Sequence, residues 1–234
     1  MIEHRPFNSL GHAHHGWLDA QHHFSFADYH DAERVHWGAL RVWNDDTIQP
    51  DTGFPPHPHA NMEIITYVRE GAISHQDNLG NQGRTVAGDV QVMSAGTGIR
   101  HSEYNLEPGV TRIFQIWIIP DERGGAPSWG AKPFPKQDRS GQFIALASGM
   151  AGDTEALPIR ADARVVGATL NPGESAEYHF SSTSRLGYLV AASGRVTVNG
   201  VTMAAQDGAA ISGEQSITVI AEEAAELVLV DVAG

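Results

Sequence analysis

Short runs of β-forming residues, separated by clusters of turn residues, recur along almost the whole chain. Met62–Arg69 (MEIITYVR) ends at Glu70-Gly71, and Val90–Ser94 (VQVMS) ends at a glycine-rich stretch. Thr111–Ile119 (TRIFQIWII) is almost continuously apolar, which is typical of a buried strand. Helix signals are sparse, and 25 Gly and 12 Pro among 234 residues provide many turns. This pattern predicts an all-β protein, either a sandwich or a barrel.

The second half of the chain repeats the pattern of the first half more weakly. The β-forming runs and turns of residues 186–212 can be laid against those of residues 64–94. Asn199-Gly200, flanked by β-forming residues, is a strong hairpin signal. The repeat indicates that one β-unit was duplicated.

A change in composition divides the chain near its middle. Residues 120–140 (PDERGGAPSWGAKPFPKQDRS) contain four Pro and three Gly together with several charges, a composition found in linkers between domains. We therefore predict two tandem domains, residues 1–130 and residues 131–234. The alternative is one domain with a single long loop.

Composition also argues against several classes of function. A formal net charge of −13 at pH 7 opposes binding to phosphate-rich surfaces, so neither direct nucleic-acid binding nor membrane association is expected. The chain has no cysteine, and any metal must therefore be held by His, Asp or Glu. The N-terminus lacks a signal-peptide pattern and no apolar run approaches the ~20 residues of a membrane span. We expect a soluble cytoplasmic protein.

The histidines are distributed unevenly, because twelve of the thirteen lie before residue 102. His57 and His59 are separated by one residue, and so are His101 and Glu103. Residues i and i+2 of an extended chain face the same side, so each pair can reach one point. Three neutral imidazoles and one carboxylate suit a first-row metal ion. For the first pair, the alternative is two surface histidines in a proline turn.

The segment from His57 to Glu103 resembles the two motifs of the cupin superfamily. HPHANMEIITYVREG matches the first motif, and GDVQVMSAGTGIRHSEYN matches the second, with Ser94 in place of the usual Pro and a longer spacer before His101. These departures and the HSE triplet resemble the pirin family, as do GHAHHGWLDAQHHFSFADYHD and HQDNLGN. The resemblance covers the whole chain, most strongly residues 10–120. It implies a bicupin with two tandem jelly-roll β-barrels, of which the N-terminal one binds metal and the C-terminal one is degenerate.

The pirin pattern implies a specific ligand set for one divalent transition metal. Carried onto this sequence, the ligands are His57, His59, His101 and Glu103. Fe(II) is the first choice, and Ni, Cu, Zn, Mn or Co are alternatives. Glu63 aligns with a residue that ligates metal in many other cupins. Because the HSE glutamate takes that role in pirins, we expect Glu63 to accept a hydrogen bond from a ligand imidazole.

The resemblance also implies an activity of the quercetin 2,3-dioxygenase type, which opens a flavonol or related small aromatic compound with O2. Glu103 is the candidate base for the substrate hydroxyl. The alternative is a non-enzymatic regulatory or redox-sensing protein, whose metal is structural and whose partner is a transcription factor or a metabolic enzyme. An open metal pocket favours the enzyme, and a sealed one favours the regulator. A monomer is expected.

The remaining candidates have simpler interpretations. The N-terminal histidines could form a second metal site, but a segment packed on the barrel is the preferred interpretation. The tryptophans are expected in the core, with one lining the pocket as the alternative. His75 could point into or away from the cavity, His179 is interpreted as structural, and Glu222-Glu223 as a solvated turn. The N-terminal histidines are His12, His14, His15, His22 and His23, and the tryptophans are Trp37, Trp43 and Trp117.

Overall fold

The computed structural model describes residues 1–234 and is almost entirely β-sheet, with two short 3-10 helices at Phe7–Ser9 and Lys136–Arg139. The first twelve strands are β1 (Ile2–Arg5), β2 (Gly11–His14), β3 (Leu18–His22), β4 (Leu40–Ile48), β5 (Thr52–His59), β6 (Glu63–Glu70), β7 (Ala72–Asp77), β8 (Gln82–Val86), β9 (Val90–Ser94), β10 (Ile99–Asn105), β11 (Thr111–Ile118) and β12 (Ser128–Lys132). The other strands are β13 (Ile144–Ser148), β14 (Leu157–Pro158), β15 (Ala163–Leu170), β16 (Ser175–His179), β17 (Leu186–Ser193), β18 (Val196–Val198), β19 (Val201–Met203), β20 (Gly208–Ser212), β21 (Ser216–Ala221) and β22 (Ala225–Val232). No helix is long and apolar enough to cross a membrane.

The strands form two barrels, each made of a seven-stranded and a four-stranded sheet. In the N-terminal barrel the sheet orders are β12-β9-β6-β11-β4-β3-β2 and β5-β10-β7-β8. In the C-terminal barrel they are β1-β20-β17-β22-β15-β13-β14 and β16-β21-β18-β19. The all-β, two-barrel architecture is confirmed.

Alternation along the strands divides each large sheet into two faces. On β6, Ile65 and Tyr67 join a cluster of 24 buried residues that also includes Tyr188, Val228 and other residues of the C-terminal barrel. The intervening Thr66 faces the interior of the N-terminal barrel, where it bonds Glu103. Because successive side chains point to opposite faces, one face of each large sheet builds a core shared by the barrels and the other lines a barrel interior.

Two of the three tryptophans predicted in the core, Trp43 and Trp37, lie at this cluster, whereas Trp117 lies beside His59. Trp43 is completely buried, and its ring packs against Phe114 and Tyr188 with centroids 5.3 and 5.6 Å away. Trp37 packs against the same cluster and donates a hydrogen bond from Nε1 to the carbonyl of Gly187. These contacts hold the two barrels together.

The C-terminal large sheet takes an edge strand from the start of the chain, and the N-terminal large sheet takes one from the Pro- and Gly-rich segment. β1 pairs with β20, placing Ile2 opposite Ile211, so the N-terminus completes the C-terminal barrel. β12 pairs with β9, placing Ser128 opposite Ser94, although residues 120–140 were predicted as a linker. Backbone pairing therefore orders part of the Pro- and Gly-rich segment. The domain boundary between residues 130 and 131 stays a prediction.

Candidate metal centre

Three of the predicted ligands converge in the N-terminal barrel. His57 and His59 lie on β5, and antiparallel pairing with β10 places His101 opposite His57. The ring centroids are 4.7 Å apart for His57 and His59, 4.5 Å for His57 and His101, and 5.0 Å for His59 and His101. One ligand nitrogen from each ring lies within 4.8 Å of the other two. The two-residue spacing of His57 and His59 therefore brings their imidazole rings together, as the sequence predicts.

The orientation of His57 fits a metal site. Its Nδ1 lies 2.7 Å from the carbonyl oxygen of Pro55, which can only accept, so Nδ1 carries the proton and Nε2 carries the lone pair. This Nε2 lies 3.1 Å from Nε2 of His101. Two imidazole nitrogens that each lie about 2.1 Å from one ion, at a right angle, are about 3 Å apart. The spacing and the donor type both fit one transition metal ion.

The environment keeps His59 and His101 neutral, which is the form that binds metal. Burial lowers the pKa of His101 to about 2, and the neighbouring His57 and His59 add to the shift. Burial also lowers the pKa of His59 to about 4, with a further contribution from His57. Both rings therefore present lone pairs at neutral pH.

Glu103 lies deeper in the barrel, where it is almost inaccessible to solvent. Its carboxylate accepts hydrogen bonds from Thr66 Oγ1 at 3.2 Å, Gln91 Nε2 at 2.6 Å and Gln115 Nε2 at 2.9 Å. Burial raises the pKa of Glu103 to about 7, although these three hydrogen bonds act in the opposite direction. The result is a buried carboxyl group that can exchange a proton near neutral pH.

The four predicted ligands do not form one group of mutually close atoms. His57, His59 and His101 form one group, and Glu103 belongs to a second group with His101 and His75. His101 is common to both and connects them. The structure therefore brings the three histidines together and places Glu103 beside His101 and His75, and ligation by Glu103 stays a prediction.

His75, whose direction the sequence left open, points into the barrel. It is buried, and its Nδ1 lies 3.4 Å from Nδ1 of His101 while its Nε2 lies 3.0 Å from Oδ2 of Asp77. Sequence reasoning missed Asp77, although His75 and Asp77 show the same two-residue spacing on β7 as the recognised pairs. The three polar residues around Glu103 were also missed, although each interrupts an otherwise apolar strand. These residues are Thr66, Gln91 and Gln115.

Glu63 differs from its expected role. Its Oε2 accepts a hydrogen bond of 2.6 Å from Ser94 Oγ, and it has no hydrogen bond with a ligand imidazole. Glu63 has the same parity on β6 as Ile65, which faces the shared core. It therefore lies on the opposite face from Thr66 and the barrel interior.

The other histidines lie outside the cluster. His12 and His14 are exposed, and each has a ring nitrogen 3.2 Å from the carboxylate of Asp19. His22 is buried against Asn44, and His23 is buried against Tyr188. The remaining candidates are exposed, and they are His15, His179, Glu222 and Glu223.

An open pocket of about 470 Å³ is lined in part by His59, Asn78 and Arg100. Trp117 packs edge-on against His59, with ring centroids 5.0 Å apart, and Phe26 packs edge-on against Trp117 at 5.5 Å. Trp117 is half-buried and packs on an apolar cluster inside the barrel. The histidine cluster is thus bordered by aromatic rings, and one of its members lines an open pocket.

Two tandem barrels, with a histidine cluster in the first alone, define a bicupin with one candidate metal centre. The Pirin family model matches residues 3–118, and the model of the quercetinase C-terminal cupin domain matches residues 145–232. A pirin-like protein of Caulobacter vibrioides is 68% identical, with 100% of both chains covered. A quercetin 2,3-dioxygenase of Escherichia coli is 41% identical, with 99% of this chain and 98% of the relative covered.

Solved structures agree with this assignment. The crystal structure of YhhW from Escherichia coli matches with a TM-score of 0.93 at 40% identity, covering 99% of this chain and 97% of that one. The bacterial pirin YhhW in complex with nickel(II) matches with a TM-score of 0.91 at 40% identity, covering 100% and 99%. The chain belongs to the pirin family.

Proposed function

We propose that this protein is a metal-dependent dioxygenase of the quercetin 2,3-dioxygenase type, which opens a flavonol or a related aromatic ring with O2. The observation that carries the proposal is the convergence of three imidazoles, one of which lines an open pocket. The relative of 41% identity that is called quercetin 2,3-dioxygenase supports the same reaction class.

His57, His59 and His101, with Glu103 as the fourth ligand, would hold one divalent first-row ion. Fe(II) is our first choice, and the nickel(II) complex of a relative supports Ni(II) as an alternative. The ion would supply Lewis acidity and a template for O2 and substrate. Nitrogen and carboxylate donors of this kind suit several such ions.

The surrounding side chains would position the substrate and its proton. The pocket of about 470 Å³ lies within the usual range of small-molecule sites, and Trp117 and Phe26 offer aromatic surface beside His59. We assign the role of base to the carboxylate of Glu103, which would take the proton from a substrate hydroxyl. Thr66, Gln91 and Gln115 hold this carboxylate in place. A pocket open at His59 favours an enzyme over a regulator with a sealed metal.

The test is metal analysis of the purified protein and of His59→Ala, with oxygen uptake on quercetin recorded for both. We expect about one metal per chain in the wild type, and loss of both metal and uptake in the variant. His179→Ala is the matched control, because His179 is exposed and remote from the cluster. Bound metal without uptake on any flavonol or catechol-like compound would reject the dioxygenase, and no metal after reconstitution with Fe(II), Ni(II) or Cu(II) would reject the metal site.

A further inference from the structure

A chain of polar contacts continues behind His101, on the side of its ring that faces away from His57. Nδ1 of His101 faces Nδ1 of His75 at 3.4 Å, and Nε2 of His75 faces Oδ2 of Asp77 at 3.0 Å. His75 and Asp77 lie on β7, and pairing with β10 places Asp77 opposite His101. Two rings and one carboxylate thus form a line that ends at the candidate metal centre.

The contacts of Asp77 set the direction of the hydrogen bonds in this line. Its Oδ1 accepts the backbone N–H groups of Leu79 at 2.9 Å and Asn81 at 3.1 Å. Its Oδ2 accepts Nδ2 of Asn81 at 2.9 Å. A carboxylate surrounded by donors acts as an acceptor alone. Nε2 of His75 must therefore carry a proton and donate it to Oδ2.

The hydrogen bond from His75 to Asp77 also sets the direction of the next hydrogen bond, between His75 and His101. Burial favours neutral imidazole, so His75 has its lone pair on Nδ1 and accepts from Nδ1–H of His101. His101 is left with its lone pair on Nε2. His57 reaches the same state independently, because the carbonyl of Pro55 binds its Nδ1–H. Two lone pairs consequently face each other across 3.1 Å, an arrangement that a shared cation stabilises.

We propose that Asp77 and His75 are positioning residues, which fix His101 in the tautomer that presents Nε2 to the metal. This inference rests on the proposed role of His101 as a ligand. Partners of this kind orient a ligand imidazole and increase its basicity. Neither residue needs to touch metal or substrate to act.

Packing holds the plane of His75 in the required orientation. The indole ring of Trp129, from β12, is stacked on the imidazole with centroids 4.7 Å apart and an angle of 9° between the planes. Gly83 lies opposite His75 in the β7–β8 pair, and a Cβ atom at Gly83 would lie 2.2 Å from the Trp129 ring. The absence of a side chain at residue 83 thus permits the stacking, which explains how the segment after residue 120 contributes to the site.

Asp77→Asn should reverse the direction of the hydrogen bonds. The two backbone N–H groups retain the amide oxygen at the position of Oδ1, which places the amide NH2 against Nε2 of His75 and against the side chain of Asn81. The amide of Asn81 would then turn its oxygen toward this NH2 group. His75 would then carry its proton on Nδ1, and His101 would carry its own on Nε2. That proton would bond to Nε2 of His57 and block the metal. Exchange of a carboxylate for an amide beside histidine is known to impose the wrong tautomer.

The test combines nitrogen-15 NMR of the histidine rings in the metal-free protein with Zn(II) affinity from chelator competition. We expect His101 to be protonated at Nδ1 in the wild type and at Nε2 in Asp77→Asn, with Zn(II) affinity about 10–100-fold weaker in the variant. Asp19→Asn is the matched control, since it alters another carboxylate beside histidines and should leave both measurements unchanged. An unaltered His101 tautomer in folded Asp77→Asn would overturn the proposal.

If Asp77→Asn does not fold, a second variant tests the same proposal. His75→Phe keeps a ring against Trp129 but removes the acceptor for Nδ1–H of His101, and it should weaken Zn(II) binding by a similar factor. Wild-type affinity in His75→Phe would also overturn the proposal. If the wild type itself binds no Zn(II), the proposed function fails, whereas the NMR measurement still decides whether Asp77 sets the tautomer of His101.

Discussion

The two barrels share the order of their inner strands, but one interior is apolar and the other contains polar side chains. In the C-terminal barrel, 19 buried apolar residues fill the space between the sheets. In the N-terminal barrel, two small apolar clusters of six and four residues are accompanied by buried His, Glu, Gln and Thr side chains. The same architecture therefore supports a packed core in one copy and a polar site in the other.

The difference can be followed strand by strand. β10 and β21 occupy the same place in their four-stranded sheets. The buried residues of β10 include His101 and Glu103, whereas those of β21 are Ile217, Val219 and Ala221. On β16, the strand equivalent to β5, the buried residues are Ala176 and Tyr178. No nitrogen or carboxylate side chain stands at the buried positions of β16 and β21.

The two barrels are expected to contribute differently to stability and to function because their interiors differ. Buried polar groups contribute little net stability even when they are satisfied, and the N-terminal barrel has few apolar contacts of its own. Its large sheet is instead covered by the shared core of 24 residues. The C-terminal barrel and this shared core should therefore provide stability, and the N-terminal barrel should provide chemistry.

The largest effect is expected from His101→Ala. This substitution removes the residue that is common to both groups of candidate ligands. Metal affinity should fall by more than the 10–100-fold typical of losing an outer partner of a ligand. Chelator competition with Ni(II) or Zn(II) measures the change. Wild-type affinity in a folded variant would mean that the cluster is not the metal site.

Ile217→Ala on β21, the strand equivalent to β10, should lower stability and leave metal binding unchanged. Ile217 is completely buried in the C-terminal cluster, so its truncation should cost about 2–5 kcal/mol of unfolding free energy. Denaturant unfolding measures this loss, and metal bound per folded chain should remain unchanged. Loss of metal from the folded variant would show that the two interiors are coupled. It would contradict the assignment of stability to the C-terminal barrel and of metal binding to the N-terminal barrel.

Acid should weaken the shared core through His23. Burial lowers the pKa of His23 to about 3 from an ordinary value of 6.5, with further lowering by nearby arginines. Protonation therefore favours the unfolded chain, and the stability contributed by neutral His23 is complete above about pH 6.5 and is lost as pH falls toward 3. By pH 5 the loss is about 2 kcal/mol.

The measurement is unfolding free energy against pH for the wild type and His23→Asn. The amide of Asn can take the place of Nδ1, which bonds the hydroxyl group of Tyr188 at 2.9 Å, but it does not titrate. The wild type should lose about 2 kcal/mol more than the variant between pH 7 and pH 5. Parallel curves would show that His23 becomes protonated without cost in the shared core.

Local patterns were sufficient for the strands and for the placement of His57 beside His59, whereas the resemblance to the pirin motifs supplied His101 as their partner. Alternation and turn residues predict strands such as β6 and β11, and two-residue spacing places His57 and His59 on one side of β5. Pairing between distant segments is not encoded locally. The four residues of β1 include two charged side chains, and their pairing with β20 depends on contacts such as Arg5 with the rings of Phe24 and Tyr188.

The partners of the ligands could not be predicted for a related reason. Gln91 and Gln115 lie on different strands, and only the register of β6, β9 and β11 brings them to Glu103. Trp129 lies in a segment with the composition of a linker, and its position against His75 depends on the pairing of β12 with β9. Glu63 was misplaced because its role was carried over from other cupins, whereas in this chain it lies on the face of β6 that carries Ile65 and accepts a hydrogen bond from Ser94.

The smallest effect is expected from the N-terminal histidines, where the sequence was least informative. His12 and His14 are exposed and share the carboxylate of Asp19, and exposed ion pairs of this kind contribute little. The double variant His12→Ala, His14→Ala should change unfolding free energy by no more than about 0.5 kcal/mol and should leave metal stoichiometry unchanged. A fall in stoichiometry would reveal a second site on the surface. Unchanged stoichiometry, beside the loss expected in His101→Ala, would confine metal binding to the interior of the N-terminal barrel and so sharpen the contrast between the two barrels.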